Sequence, residues 1–348
     1  MKKKILCISD VGIDKQNMIK GFSYLKEYGA ELEIVEDRQN TNRGELQASF
    51  RIMESEGPDA LPVNEEVLEK VKDADVIIAH LNPICSAYLD AAEHLELVAL
   101  LRSGMENVNV EKAREKGIGI VLCPGRVSVP VADFTLGLML AETRNIVRGD
   151  RGMRAGLWET AYPNDGKIHT LRNAVVGLIG YGQVGKKVAA RLVPFGAKVI
   201  VYDPYCDAAK IEADGFKPVS KEELLRTSDI VSMHFRLTPE TKGMLGTKEF
   251  EMMKPTAYFI NTARAGLVDE NALVDALEHK TIMGAALDVY VQEPLPAEHP
   301  LRKLENVTLV PHLAGVCCEL EELSMEILAA DLERYLKGDE IVNRVKFS

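Results

Sequence analysis

Short apolar runs and longer amphipathic stretches alternate almost from the first residue. "KKILCIS" reads as a strand, "DKQNMIKGFSYLKEYGA" spaces its apolar residues as a helix does up to Gly29, and "ELEIVE" returns to a strand. Helix "NEEVLEKVKDA", strand "DVIIAHL", helix "SAYLDAAEHL", strand "ELVALLRS", helix "NVEKAREKG" and strand "IGIVLCP" continue the pattern. Strands separated by helices predict a parallel sheet covered on both faces. "MESEGPDALPVNEE" interrupts the alternation and reads as a surface loop.

A longer helix is predicted from Val131 to Arg154, followed by the looser stretch "GLWETAYPNDGKIHTLRN". The alternation then restarts with strand "AVVGLIG", helix "GQVGKKVAARLVPFG", strand "AKVIVYD" and helix "SKEELLRTS". Strands "DIVSMHF" and "TAYFINTA", helix "DENALVDALEHK" and strands "MGAALDV" and "VTLVPHL" complete it, and "EELSMEILAADLERYLKG" reads as a final amphipathic helix. The pattern predicts two α/β units, near residues 1–128 and 129–313, with the segment 314–348 free to fold back on the first.

Composition supports that division and narrows the partners. The 348 residues, 46% of them hydrophobic, supply material for two cores. With 42 Lys plus Arg against 53 Asp plus Glu, the net charge of -11 argues against nucleic acid or an anionic membrane as partner. The basic start "MKKK" resembles the opening of a signal peptide, but Ser9 and Asp10 interrupt the apolar run behind it. No stretch reaches the roughly 18 apolar residues of a membrane span, so a soluble cytoplasmic protein is expected. The six cysteines contain no CxxC pair, and neither a metal site nor a disulfide framework is expected.

The first candidate chemistry is the GxGxxG of Gly180, Gly182 and Gly185, set between a predicted strand and a predicted helix. The glycines allow a sharp turn and close backbone approach, and the helix start offers free N–H groups to a pyrophosphate. Roughly 20 residues on, Asp203 ends the next strand, where its carboxylate can accept hydrogen bonds from a ribose diol and would repel a 2′-phosphate. NAD is therefore expected rather than NADP. The bland alternative is a glycine-turned α/β unit without a ligand. A second set is dispersed: Arg264 after the small-residue turn Thr262–Ala263, Asp288 in "GAALDV", Glu293 in "QEP" and His312 in "PHLAG". Taken singly, each is an ordinary surface or loop residue.

Together, "NTARAG", "QEP" and "PHLAG" resemble the D-isomer-specific 2-hydroxyacid dehydrogenase family, and the resemblance spans nearly the whole chain. It implies a Rossmann-type doubly wound dinucleotide-binding domain, residues 129–313, inserted in a flavodoxin-like substrate domain, residues 1–128, to which the C-terminal helix returns. It also implies an NAD-dependent enzyme interconverting a 2-hydroxy acid and its 2-keto acid. His312 would be the acid/base, Glu293 its orienting partner, and Arg264 the group that binds the carboxylate and polarises the carbonyl. Asp288 would anchor the nicotinamide amide. Gln183 and Val184 match backbone contacts to the cofactor, with Thr262 and Ala263 lining the same site. A homodimer or dimer of dimers is implied as well.

The substrate loop departs from the family's GxGVDN-like pattern. Here "RSGMENVN" puts Arg102 at the first glycine, followed by Ser103 and Gly104, with Asn107 retaining a matching position. Arg102 either contacts an anionic or hydroxylated distal group of the substrate, or points to solvent or pairs with Glu106. Arg126 and Val127 depart too, Val127 standing where the family often has Asn. The leading substrate expectation is 3-phosphoglycerate or a related polar or anionic acid, with glyoxylate or hydroxypyruvate reduction next. A non-catalytic NAD(H)-sensing protein resembling corepressors built on this scaffold is the alternative from another class.

Overall fold

The computed structural model describes residues 2–37, 42–167 and 170–347. Positions 168 and 169 of the loose stretch, and the terminal positions 1 and 348 of the expected domains, lie outside these. The chain divides into two compact units, one of Met1–Arg126 with Cys317–Ser348 and one of Val127–Val316.

The first unit holds strands β1 Lys3–Ser9, β2 Ala30–Glu36, β3 Val76–Ala79, β4 Leu97–Leu100 and β5 Gly119–Val121, all parallel, in the order β2-β1-β3-β4-β5. The strands are apolar along most of their length because both faces are covered. Leu6, Ile8, Ile77, Val98 and Ile120 enter one core cluster, while Ile5, Cys7, Val76, Ile78 and Leu97 enter the other. On the second face, the helix Lys15–Phe22 packs against Met325, Leu328 and Leu332 of the C-terminal helix Leu320–Lys337. The approach is tight: a Cβ on Gly21 would lie 2.6 Å from the Met325 sulfur.

The second unit holds β6 Val175–Ile179, β7 Lys198–Tyr202, β8 Lys217–Pro218, β9 Ile230–Met233, β10 Tyr258–Asn261, β11 Gly284–Leu287 and β12 Val307–Leu309. All are parallel, in the order β12-β11-β10-β9-β6-β7-β8. Renumbered within the unit, this is the Rossmann order with one further strand at the edge. The order reverses between β6 and β9, so a crevice opens beyond the carboxyl ends of these strands, where the glycine turn stands.

Three local expectations need correction. The single helix from Val131 to Arg154 is two, Ser128–Thr143 and Ile146–Arg154, because Asn145 takes the left-handed conformation at φ 57° between them. Residues Met53–Glu56 of the supposed surface loop complete a helix, Arg43–Glu56, in which Met53 is buried. A short helix, Thr247–Met252, lies between β9 and β10, where none was expected. Cys317 and Cys318 precede the final helix, which starts at Leu320. Among the described residues, no helix is long and apolar enough to cross a membrane.

Candidate active site

The glycine turn follows β6. Gly180 has φ 106°, and a Cβ there would sit 2.8 Å from the His234 carbonyl carbon. A Cβ on Gly185 would come within 2.2 Å of the Gly180 oxygen, so the helix Gln183–Leu192 can start this close to the turn only with glycine. Gly182 differs: a Cβ there would meet nothing within 4 Å. The first intrahelical bond runs from Lys186 N–H to the Gly182 oxygen, and no side chain caps the helix. The N–H groups of Gln183, Val184 and Gly185 thus have no i−4 partner within the helix, which suits a pyrophosphate.

Asp203 lies just past β7. One of its carboxylate oxygens accepts the Tyr181 N–H at 2.7 Å, and the other accepts those of Tyr205 at 2.8 Å and Cys206 at 3.2 Å. The residue expected to meet a ribose therefore also ties the glycine turn to the end of β7. A carboxylate has about four acceptor positions, and three are taken.

A cleft of about 290 Å³ runs from Val184 past His234 and Phe235 to Thr262, Ala263 and Arg264. Burial drives the His234 imidazole down to about 3, so it stays neutral, with Nε2 bonded to Ser232 Oγ at 2.9 Å. The turn after β10 is built by Asn261, whose Oδ1 accepts the Ala263 N–H at 3.0 Å while its Nδ2 donates to the Arg264 oxygen at 3.1 Å. Thr262 Oγ1 is buried and bonded to Thr135 Oγ1 at 2.8 Å, which pins the turn to the helix Ser128–Thr143. Only its backbone remains for a ligand. Arg264 is exposed, one Nη donating to the Ala263 oxygen at 2.7 Å.

His312 sits at φ 54° beyond β12, with its Nδ1 2.8 Å from Glu293 Oε2. The other Glu293 oxygen accepts the Tyr290 N–H at 3.0 Å. Burial alone would push this carboxyl up, but the His312 hydrogen bond, the Tyr290 N–H and the charges of His312 and Arg264 hold it below its ordinary value. An ionised carboxylate only accepts, so the ring proton stays on Nδ1 and Nε2 is left for a reacting group. Asp288, 1% exposed, accepts the Leu313 N–H at 2.6 Å and the Ala314 N–H at 3.0 Å, one on each oxygen. It thereby fixes the loop that carries His312, a role its sequence position did not suggest.

Arg102, Ser103 and Gly104 stand in the first unit, after β4. Arg102 is turned inward: its guanidinium lies 4.0 Å from the centre of the Phe50 ring, and Nη2 donates to Glu106 at 3.0 Å. Its Nε and Nη1 are buried without a hydrogen-bond partner among the described residues. Ser103 Oγ donates to the Cys123 oxygen at 2.9 Å. Gly104 leaves room for the Glu106 carboxylate, which a Cβ would approach to 2.3 Å. Of the readings for Arg102, the pairing with Glu106 is present and the outward orientation is not, while contact with substrate stays an expectation. Sequence reasoning passed over Asn261, Tyr290 and Thr135. Only Asn261 left a signal, an Asn opening a turn after an apolar strand.

A glycine turn that leaves helix N–H groups free, and an imidazole oriented by a carboxylate beyond β12 of the same unit, suit hydride transfer to or from a dinucleotide, the chemistry of a nucleotide-dependent dehydrogenase. Residues 136–314 match the model of the D-isomer specific 2-hydroxyacid dehydrogenase NAD-binding domain. The chain is 38% identical to a glyoxylate reductase of Thermofilum pendens over 82% of its own length and 85% of the relative's. It is 36% identical to a D-3-phosphoglycerate dehydrogenase of Methanocaldococcus jannaschii over 81% of its length, but only 53% of that longer protein. Its fold matches the NAD complex of a D-isomer specific 2-hydroxyacid dehydrogenase from Lactobacillus delbrueckii with a TM-score of 0.76 at 21% identity, covering 99% of this chain and 100% of that one. The chain belongs to the D-isomer specific 2-hydroxyacid dehydrogenase family. It is thus an NAD-dependent oxidoreductase of CH–OH groups.

Proposed function

We propose that His312, Glu293 and Arg264 carry the reaction, and that the substrate is a 2-hydroxy or 2-keto acid with a polar or anionic distal end, 3-phosphoglycerate being the leading candidate. The observation that carries the catalytic reading is the 2.8 Å contact of His312 Nδ1 with Glu293, which leaves Nε2 for the reacting oxygen. Bound nicotinamide supplies or accepts the hydride. His312 Nε2 takes the hydroxyl proton in oxidation and returns it to the carbonyl oxygen in reduction. Glu293 holds the ring in the orientation that presents Nε2. Arg264 pairs with the substrate carboxylate and stabilises charge on the carbonyl oxygen. The backbone of Gly180–Gly185 and Thr262–Ala263, with Asp203, holds the cofactor. Asp288 retains acceptor capacity for the nicotinamide amide, although its first task is the His312 loop.

Arg102 supports a distal anion, since two of its nitrogens are buried without partners and a cation so placed gains from a second anion. Glyoxylate or hydroxypyruvate is the second reading, favoured by Glu106 already occupying Nη2 of Arg102 and by the likeness to a glyoxylate reductase matched over 85% of its length. A panel of about fifty 2-keto and 2-hydroxy acids assayed with NAD(H) tests both. His312→Ala should lower kcat by about 10² to 10⁴ on the best acid. Turnover within a few-fold of the parent would remove His312 from the role.

The helix Ile146–Arg154 and the residues after it expose Ile146, Met153 and Trp158, at 57%, 56% and 82%. These support a homodimer or dimer of dimers, and a monomer mass by light scattering at micromolar concentration would refute it. Six unpaired thiols suit a reducing cytoplasm.

A further inference from the structure

Within the second unit, the ends of β11 and β12 are joined by a hydroxyl that the reaction does not use. Tyr290 follows β11, and its ring is buried in the core cluster that holds Phe259, Leu287 and Leu301. The phenol oxygen lies 2.8 Å from the Val310 oxygen and 3.0 Å from the Leu287 oxygen. Its one proton thus ties the carbonyl that ends β11 to the one just past β12. Burial pushes this phenol up to about 12, so it keeps that proton throughout the neutral range. Phenylalanine would fill the same space without a buried polar group to satisfy, so the hydroxyl is what needs a reason.

The bonds around it supply one. The Val310 oxygen also accepts the His312 N–H at 3.1 Å, and the Tyr290 N–H donates to Glu293 Oε1 at 3.0 Å. Tyr290 therefore reaches both members of the His312–Glu293 pair, Glu293 through its N–H and His312 through the Val310 carbonyl. His312 stands at φ 54°, a left-handed conformation that a residue with a Cβ keeps only where its surroundings hold it. On one side Asp288 holds the Leu313 and Ala314 N–H groups. On the other side the Val310 carbonyl receives the His312 N–H, and the Tyr290 hydroxyl holds that carbonyl.

We propose that Tyr290 is a positioning residue for the acid/base step, its hydroxyl fixing the Val310 carbonyl and thereby the turn that sets the His312 imidazole against Glu293. The inference rests on the reading of His312 as the acid/base and adds a residue that acts only through that pair.

The experiment measures NADH-linked reduction of the best 2-keto acid by the parent, Tyr290→Phe, Tyr258→Phe, His312→Ala and the double variant of Tyr290→Phe with His312→Ala. Tyr258 is the control, a buried phenol at the start of β10 whose oxygen accepts from Asn164 Nδ2 at 2.8 Å. Tyr290→Phe should lower kcat about three- to tenfold, as the loss of one hydrogen bond felt in the transition state. KM for the acid and Kd for NADH should stay within about twofold. Tyr258→Phe should keep kcat within about twofold even if its melting temperature falls as far as that of Tyr290→Phe. On the His312→Ala background the Tyr290 change should cost nothing further, because the group it positions is gone. Parental kcat in Tyr290→Phe, an equal kcat loss in Tyr258→Phe, a loss that appears in KM or Kd instead, or an undiminished loss on the His312→Ala background would each overturn the proposal. If His312→Ala turns over like the parent, or the parent reduces no 2-keto acid, the acid/base reading fails first and the proposal falls with it. A silent Tyr290→Phe beside a crippled His312→Ala sinks the proposal alone.

Discussion

Three histidines in this chain show how much a neighbour decides. His312 and His80 each have a carboxylate on Nδ1, whereas His234 has a serine hydroxyl on Nε2 instead, and burial drives its imidazole down to about 3. The consequence for stability has a definite sign. Unfolded, His234 takes up a proton below its ordinary 6.5, while the folded chain refuses it until about 3, so the unfolded state binds more protons across that window. Stability therefore falls as pH drops through it, by at most about 1.4 kcal/mol per pH unit. Denaturant melts at pH 7 and pH 5 should show His234→Gln losing up to about 2 kcal/mol less than the parent on acidification. An unchanged difference would mean that the ring is not held neutral. At this scale the sequence singles out Arg264, Glu293 and His312 as candidates, because each sits in a short recognisable string. It did not reveal the Asp10–His80 pair, because 70 residues separate the partners and only the adjacency of β1 and β3 joins them.

Among the elements, strands were the most legible, since continuous apolar runs such as "VIIA" and "LVAL" are what a sheet buried on both faces demands. Helix ends were less so. The apolar spacing between Val131 and Arg154 carries no mark of the break at Asn145, because the break is set by tertiary bonds: Asn145 Nδ2 donates to Asn164 Oδ1 at 2.8 Å, and its Oδ1 accepts from Arg148 at 3.1 Å. Asn tolerates left-handed backbone better than other L residues, and its side chain is used twice here. Asn145→Ala should therefore destabilise the second unit by about 2 to 3 kcal/mol, combining backbone strain with two lost hydrogen bonds. Asn145→Gly removes the strain and keeps the hydrogen-bond loss, so it should cost less. Equilibrium unfolding of the two variants checks the order, and equal costs would mean that the backbone conformation carries no strain.

At the scale of the molecule, two α/β units could be read from the alternation of strands and helices, and the dehydrogenase family from the dispersed motifs. The reason is physical: each βα repeat buries a contiguous stretch of chain, so its pattern survives in the local sequence. What a sheet's order brings together at the carboxyl ends of its strands does not survive there, which is why the Asp10–His80 pair of the first unit was invisible. That unit is also discontinuous in the chain, for Met325, Leu328 and Leu332 of the last helix fill the core cluster that Met18, Phe22 and Leu25 begin. A ribosome thus joins every residue of the nucleotide-binding unit before it makes the helix that completes the other one. The first unit spends translation with one apolar face uncovered, whereas the second has all its own sequence in hand.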